Sequence, residues 1–162
     1  MLKPVIVNYH WLLSYYLLIF MTQPQYRSLR IQGIAFVLVL MAQYILGMYA
    51  NLYIQFPIGL SGAQMWHFAL HQWVLVLHIL LGISLPIGSV VFFTKVLHYR
   101  STTWKIPAIG GICGMWIASA AGVFFLSLQS DGYSFIMSLA FIVALFSYMW
   151  GVIASASEKL AA

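Results

Sequence analysis

Four long apolar stretches separate the few charged residues of this chain. No Asp, Glu, Lys or Arg occurs in Ile31–Ile54, Trp66–Thr94, Ile106–Gln129 or Tyr133–Ser157. A helix needs roughly 20 mostly apolar residues to cross the hydrocarbon core of a bilayer. The pattern therefore predicts an all-α, polytopic membrane protein, a four-helix transmembrane bundle with crossings at residues 31–54, 66–94, 106–129 and 133–157.

A fifth, shorter apolar stretch lies near the N-terminus. As a helix, Val5–Met21 would be only about 25 Å long, and it is rich in the Tyr and Trp side chains that favour membrane interfaces. We expect an additional N-terminal helix that lies in the interface or crosses as a fifth span. Pro24 is expected to separate it from the next helix. Residues 1–162 then form a single transmembrane domain.

Composition and charge placement agree with this architecture. The chain is 64% hydrophobic and 6% charged, with a mean hydropathy of +0.97, whereas soluble domains carry roughly a quarter charged residues. The net charge of +5 indicates no nucleic-acid partner, because the basic residues lie at the ends of the predicted helices. By the positive-inside rule they place the C-terminus in the cytoplasm, with the protein in the plasma membrane. The basic residues that flank the predicted crossings are Arg27, Arg30, Lys95, Arg100, Lys105 and Lys159.

The candidate chemistry lies on the second predicted crossing. His67, His71 and His78 would fall within about 40° of one another around a single helix. A polar side chain inside a bilayer indicates a functional site by default. Imidazole is the usual axial ligand of haem iron, and glycine would let a flat macrocycle approach the backbone. The predicted cofactor-binding set is His71, His78, His67, Gly82, Gly47 and Gln43, for haem b or quinone.

His78 and His71 are the expected iron ligands, and the other predicted crossings contain no histidine. A haem would need a second ligand from the same helix or another subunit, a methionine, or an open coordination position. Alternatively, each histidine could bond a carbonyl, Gln43 or Asn51 and simply fix the helix register. The candidate methionines are Met41, Met48, Met115, Met137 and Met149.

Small residues recur along the third and fourth predicted crossings. Close packing of such residues brings membrane helices together, so we expect these two crossings to form a tight antiparallel hairpin through Ser130–Gly132. The third crossing carries Gly110, Gly114, Ala118 and Gly122, and the fourth carries Ala140, Ala144, Ser147, Gly151 and Ala154. Acidic residues are limited to Asp131 and Glu158, which argues against a proton pump and against paired-carboxylate catalysis. We therefore predict no catalytic residue.

One segment resembles a known family. The run Gln43-Tyr-Ile-Leu-Gly47-Met-Tyr-Ala-Asn-Leu-Tyr53, followed by a short loop and a histidine-bearing crossing with Gly82, resembles one four-helix half of the haem A synthase family. The resemblance implies a haem-b-holding or formerly haem-holding scaffold. That family has a second histidine ligand on the fourth crossing, where this chain has none, and an acidic residue where this chain has Asn51 and Gln55.

Three functions follow as hypotheses. The first is a small integral membrane subunit of a respiratory-type electron-transfer complex, contacting haem b or quinone through its histidines. The second is a cofactor-free accessory subunit that stabilises a larger complex. The third, implied by the resemblance, is a haem-A-synthase-like cofactor maturation protein. The short connections leave little aqueous surface for a soluble substrate, so other membrane subunits and lipids are the expected partners, and a non-catalytic role is favoured over an enzyme.

Overall fold

The computed structural model describes the backbone of residues 10–57 and 59–161, and the side chains of residues 27–57 and 59–156. The described backbone folds into α-helices joined by short connections. The helices are α1 (His10–Tyr53), α2 (Gly62–His71), α3 (Trp73–His98), α4 (Thr102–Leu128) and α5 (Asp131–Ala161).

Four segments of the described part of the chain are long and apolar enough to cross a membrane. They are Arg27–Tyr53 within α1, all of α3 and α4, and Asp131–Ala156 within α5. The prediction of an all-α membrane protein with four transmembrane helices is confirmed. Most large apolar side chains on these helices point outward, as expected for surfaces that lie against lipid.

The four long helices form a closed ring of neighbours. α1 packs against α3 and α5, and α4 packs against both α3 and α5. Arg100 and Gln129 adopt left-handed backbone conformations, with φ of 51° and 52°, in the tight connections α3–α4 and α4–α5. Short connections of this kind place consecutive helices antiparallel.

α4 and α5 form the tightest pair in the bundle, as the small-residue pattern predicts. A Cβ added to Gly114 would lie 2.7 Å from the backbone oxygen of Ala140 and 2.8 Å from the backbone nitrogen of Ala144. The two backbones are therefore in direct contact at this point. Gly110, one turn closer to the start of α4, faces the side chain of Ser147.

Buried apolar side chains form two clusters at different heights. One lies at the end of the bundle that carries the basic residues, and the other lies at the opposite end beneath α2. The first contains Leu29, Leu40, Leu85, Phe92, Val96, Trp104, Ala108, Met115, Ala144 and Tyr148. The second contains Ala50, Met65, Ala69, Leu75 and Leu126.

The expectation that Pro24 ends a separate N-terminal helix was wrong. α1 continues through Pro24 without interruption. Proline removes one helical hydrogen bond and crowds the preceding turn, but the remaining backbone bonds keep the helix continuous through this position. Of the predicted helix at 5–21, residues 5–9 and all side chains lie outside the described residues, and the backbone of 10–21 belongs to α1.

The predicted second crossing is also divided differently. Instead of one helix over 66–94, the chain forms α2 and then α3, with Gln72 between them in an extended conformation (φ −100°, ψ 107°). Packing explains the break, because Met65 and Ala69 of α2 are buried against the second cluster. The Trp66 indole nitrogen also donates to Ser127 Oγ of α4 at 3.3 Å. A straight continuation of α3 would carry these side chains away from α4.

Candidate functional site

Gln43 of α1 and His78 of α3 meet inside the bundle. Gln43 is 8% exposed, and its side-chain nitrogen donates to the backbone oxygen of His78 at 3.0 Å. The same nitrogen lies 3.4 Å from His78 Nε2, a longer and weaker contact. If the amide donates to Nε2, the neutral ring carries its proton on Nδ1. Together these contacts join α1 to α3 through polar atoms, about 8 Å from the first residue of α3.

Two of the predicted site glycines make room for these side chains. A Cβ on Gly47 would lie 3.1 Å from His78 Cε1, and a Cβ on Gly82 would lie 3.3 Å from Gln43 Nε2. Ser119 of α4 donates to the backbone oxygen of Gly82 at 2.7 Å, which extends the polar contacts to a third helix. The structure therefore brings four of the predicted site residues together in one contact, namely Gln43, Gly47, His78 and Gly82.

His67 and His71 lie elsewhere, and the prediction that all three histidines share one helix face was wrong. Both are on α2, exposed at the surface, while His78 is half-buried on α3 beyond the break at Gln72. The rings of His67 and His71 have centroids 4.3 Å apart. The histidines thus form two separate features, an exposed pair and an interior residue bonded to Gln43.

The arrangement around His78 does not fit a haem. An iron-bound imidazole needs free space beyond Nε2 for the metal and the macrocycle, but Gln43 Nε2 lies 3.4 Å from that atom. The notch at Gly47, expected to receive a macrocycle, is occupied by the imidazole ring. Within the part of the chain that the structure describes, no group of three or more His, Cys, Asp or Glu side chains could hold a metal ion.

The candidate methionine ligands are spread over the molecule. Met115 belongs to the cluster at the basic end, and the Met137 sulfur would lie 3.3 Å from a Cβ on Gly122. Met41, Met48 and Met149 are exposed on the outer surface of the bundle.

Two polar atoms of the Gln43–His78 contact have no hydrogen-bond partner. Gln43 Oε1 and His78 Nδ1 are both buried and unpaired among the described residues. Buried polar atoms are ordinarily bonded, so such exceptions need an explanation. A hydroxyl group, which can both accept from His78 Nδ1 and donate to Gln43 Oε1, would satisfy them, whether it belongs to water or to a lipid-soluble ligand.

A groove between α1 and α3 was not anticipated from the sequence. It has a volume of about 260 Å³, is open on one side, and lies one turn along α1 from Gln43. Its lining is mostly apolar, with Ser84 and Gln32 as the polar contributions. The lining residues are Gln32, Ala35, Phe36, Val39, Ser84 and Leu85.

The basic end of the bundle is held by an aromatic cluster that sequence reasoning also missed. Phe36 stacks on Tyr148 with ring centroids 4.8 Å apart, and Phe92 meets Trp104 edge-on at 5.2 Å. The Trp104 indole nitrogen and the Tyr148 hydroxyl are buried without a partner among the described residues. The residues in the sequence that relate to this burial are Gly33 and Gly151, because the Trp104 ring occupies the space that a Cβ at either position would take.

No family model matches the chain, and no curated protein or solved structure proved similar to it. The resemblance to one half of the haem A synthase family stays a prediction from the residues that carry it. The same holds for the maturation function that it implies.

Proposed function

We propose that this chain is a cofactor-free accessory subunit that packs beside other membrane-spanning helices in a larger assembly. The observation that carries the proposal is Trp116, which is 52% exposed on α4. It lies about 21 Å from Thr102 and about 18 Å from Leu128, at the middle of the span. Among the described side chains, the other exposed tryptophans are Trp73 and Trp150, and both lie close to helix or span ends.

An exposed indole at mid-membrane favours a protein neighbour over lipid. Tryptophan prefers the membrane interface, where its N–H can reach water or headgroups. Hydrocarbon offers no acceptor, so an unsatisfied N–H there is unfavourable, and the Trp116 indole bonds to none of the described residues. Cys113 and Ala120 lie on the same face of α4, on either side of Trp116, and are small enough for a second helix to approach.

The Gln43–His78 contact supports a scaffold role in a second way. The Gln43 amide donates to His78, and Gly47 and Gly82 leave space for the two side chains. Gln43 and His78, which the sequence analysis assigned to a cofactor site, thus join α1 to α3. As part of this proposal, the basic ends of the helices and the C-terminus face the cytoplasm.

The accessory role is tested by extracting the tagged chain in native lipid particles and measuring its mass by native electrophoresis. We expect a species several times larger than the 18.3 kDa chain, and a severalfold loss of that species in Trp116→Leu. Trp73→Leu and Trp150→Leu, changed at exposed tryptophans near the interfaces, should leave it intact. A wild-type chain that migrates as a monomer, or a Trp116→Leu assembly equal to wild type, would contradict the proposal.

A quinone-contacting subunit of a respiratory-type complex is the second candidate, favoured by the unpaired Gln43 Oε1 and His78 Nδ1. A protonated His78 Nδ1 could donate to a carbonyl oxygen of a quinone head group that enters from the lipid, and Gln43 Oε1 could accept from a hydroxyl of the reduced quinol. Solvent extraction of the native particles measures bound quinone directly. Quinone present in wild type and lost in Gln43→Leu would favour this candidate, and wild-type particles without quinone would exclude it.

A further inference from the structure

We propose that His67 and His71 form a binding site for a late first-row divalent metal ion, with Cu²⁺ as the preferred ion. The two histidines are four residues apart on α2, so both side chains project from the same side of the helix. Histidines at this spacing on a helix can bind one metal ion together. The site is distinct from the Gln43–His78 contact and independent of the proposed accessory function.

The tautomer of His71 is suited to metal binding. His71 Nδ1 lies 2.7 Å from the backbone oxygen of His67. A carbonyl oxygen can only accept a hydrogen bond, so Nδ1 carries the proton and Nε2 keeps its lone pair free. Metal-bound histidines ordinarily donate their other ring N–H to a carbonyl or carboxylate, which fixes the ring and makes the ligating nitrogen more basic. His71 already has this bond in the absence of a metal.

The spacing of the two rings is compatible with both binding one ion. The ring centroids are 4.3 Å apart. With metal–nitrogen distances near 2.0 Å, two imidazoles on one ion would have centroids about 4.5 Å apart at a square angle and about 5.1 Å apart at a tetrahedral angle. A small rotation of the two exposed side chains reaches either value. Cu²⁺ is the preferred ion because it is the tightest binder of its row to imidazole nitrogen.

α2 gives the pair a fixed platform that is open to water. Ser61 and Gln64 form a reciprocal capping box at its start, and Trp66 Nε1 bonds to Ser127 Oγ of α4. The opposite side of α2 is buried, which leaves both histidine side chains exposed at the end of the bundle away from the basic residues. Two protein ligands leave further coordination positions for water.

The test uses the full-length protein in detergent micelles, titrated with Cu²⁺ from a copper–glycine buffer and followed by electron paramagnetic resonance. At one equivalent, we expect an axial Cu²⁺ signal with coupling to two imidazole nitrogens. His67→Gln and His71→Gln should each weaken binding at least about tenfold, since one ligand of the chelate is lost. His98→Gln is the matched control, an exposed histidine at the far end of α3, and should bind Cu²⁺ as wild type does.

Both substitutions are at exposed positions, so circular dichroism should show an unchanged helix content, and a lost signal would report lost ligation. Acidification should release the ion, because protons compete for the imidazole nitrogens. The proposal is overturned if the doubly substituted protein keeps the wild-type signal and affinity. It is equally overturned if His98→Gln removes the signal, since Cu²⁺ would then be bound elsewhere.

Discussion

Trp104 lies in a slot between α1 and α5 that exists because Gly33 and Gly151 have no side chains. The ring is fully buried, and it occupies the positions that a Cβ on either glycine would take. A large planar ring held from both sides cannot turn away as the tip of a flexible side chain can. Each glycine is therefore a requirement for this contact.

Gly33→Ala and Gly151→Ala should each lower the free energy of unfolding by about 1–3 kcal/mol, the usual effect of overpacking a well-packed core. Gly132→Ala is the control, because a Cβ there meets only Ser130 Oγ, at 3.7 Å. Unfolding in mixed micelles with increasing SDS, followed by circular dichroism, measures the difference. Equal midpoints for Gly33→Ala and Gly132→Ala would show that Trp104 can move aside.

The Gln43–His78 contact should have a measurable coupling energy. In a double-mutant cycle with Gln43→Leu and His78→Leu, we expect about 0.6–1.7 kcal/mol, between the average and the largest coupling found for hydrogen bonds between membrane helices. Ser89 bonds within its own helix, to the Pro86 oxygen at 2.6 Å. A cycle of Gln43→Leu with Ser89→Ala should therefore give none. If the two cycles give the same coupling energy, the Gln43–His78 contact does not stabilise the packing of α1 against α3.

Residue types alone predicted part of this site. Polar side chains inside apolar runs are rare, and this identified Gln43 and His78 as important before their partners were known. The same pattern could not predict what fills the space beside Gly47. A glycine opposite a histidine leaves room either for a macrocycle or for the imidazole ring of that histidine. Trp104 was missed as a core residue because a tryptophan near a helix end is typical of an interface anchor.

At the scale of the elements, the α4–α5 pair depends on one close approach of two backbones. A Cβ on Gly114 would meet backbone atoms of Ala140 and Ala144, which cannot rotate away. Gly114→Ala should therefore separate the helices and lower the free energy of unfolding by about 2 kcal/mol. Gly122→Ala is the matched control on the same stripe, because its Cβ would meet only the end of the flexible Met137 side chain, at 3.3 Å. If the two variants unfold alike in SDS, the hairpin is not held at Gly114.

The break between α2 and α3 could not be predicted from the apolar pattern of the sequence. Apolar periodicity continues through Gln72, and no proline or glycine marks the break. Two other signals were present. Ser61 followed by Gln64 is a capping-box pattern that places a helix start at this point. A helix from there to His98 would be about 55 Å long, far longer than a bilayer requires. Only the packing of α2 on α4 determines the position of the break.

The whole molecule has two unlike ends. One carries Arg30, Lys95 and Lys105 near the ends of three different membrane spans. Lys95 Nζ donates to Gln32 Oε1 at 3.2 Å, which joins the end of α3 to α1. The other end carries α2 with its exposed histidines, and the described residues there include no Lys or Arg. This asymmetry is the basis for the proposed orientation, because basic connections stay on the cytoplasmic side.

The orientation can be tested with single cysteines and a membrane-impermeant maleimide. Cys113→Ser removes the native thiol, which is exposed on α4, and provides an unlabelled background. On that background, Gln64→Cys at the start of α2 should react in intact cells. Thr102→Cys, at the first turn of α4, should react only after the membrane is permeabilised. Both sites are exposed, so a difference in labelling reports the side of the membrane rather than burial. Labelling of Thr102→Cys in intact cells, with Gln64→Cys protected, would invert the proposed topology and place the histidine pair in the cytoplasm.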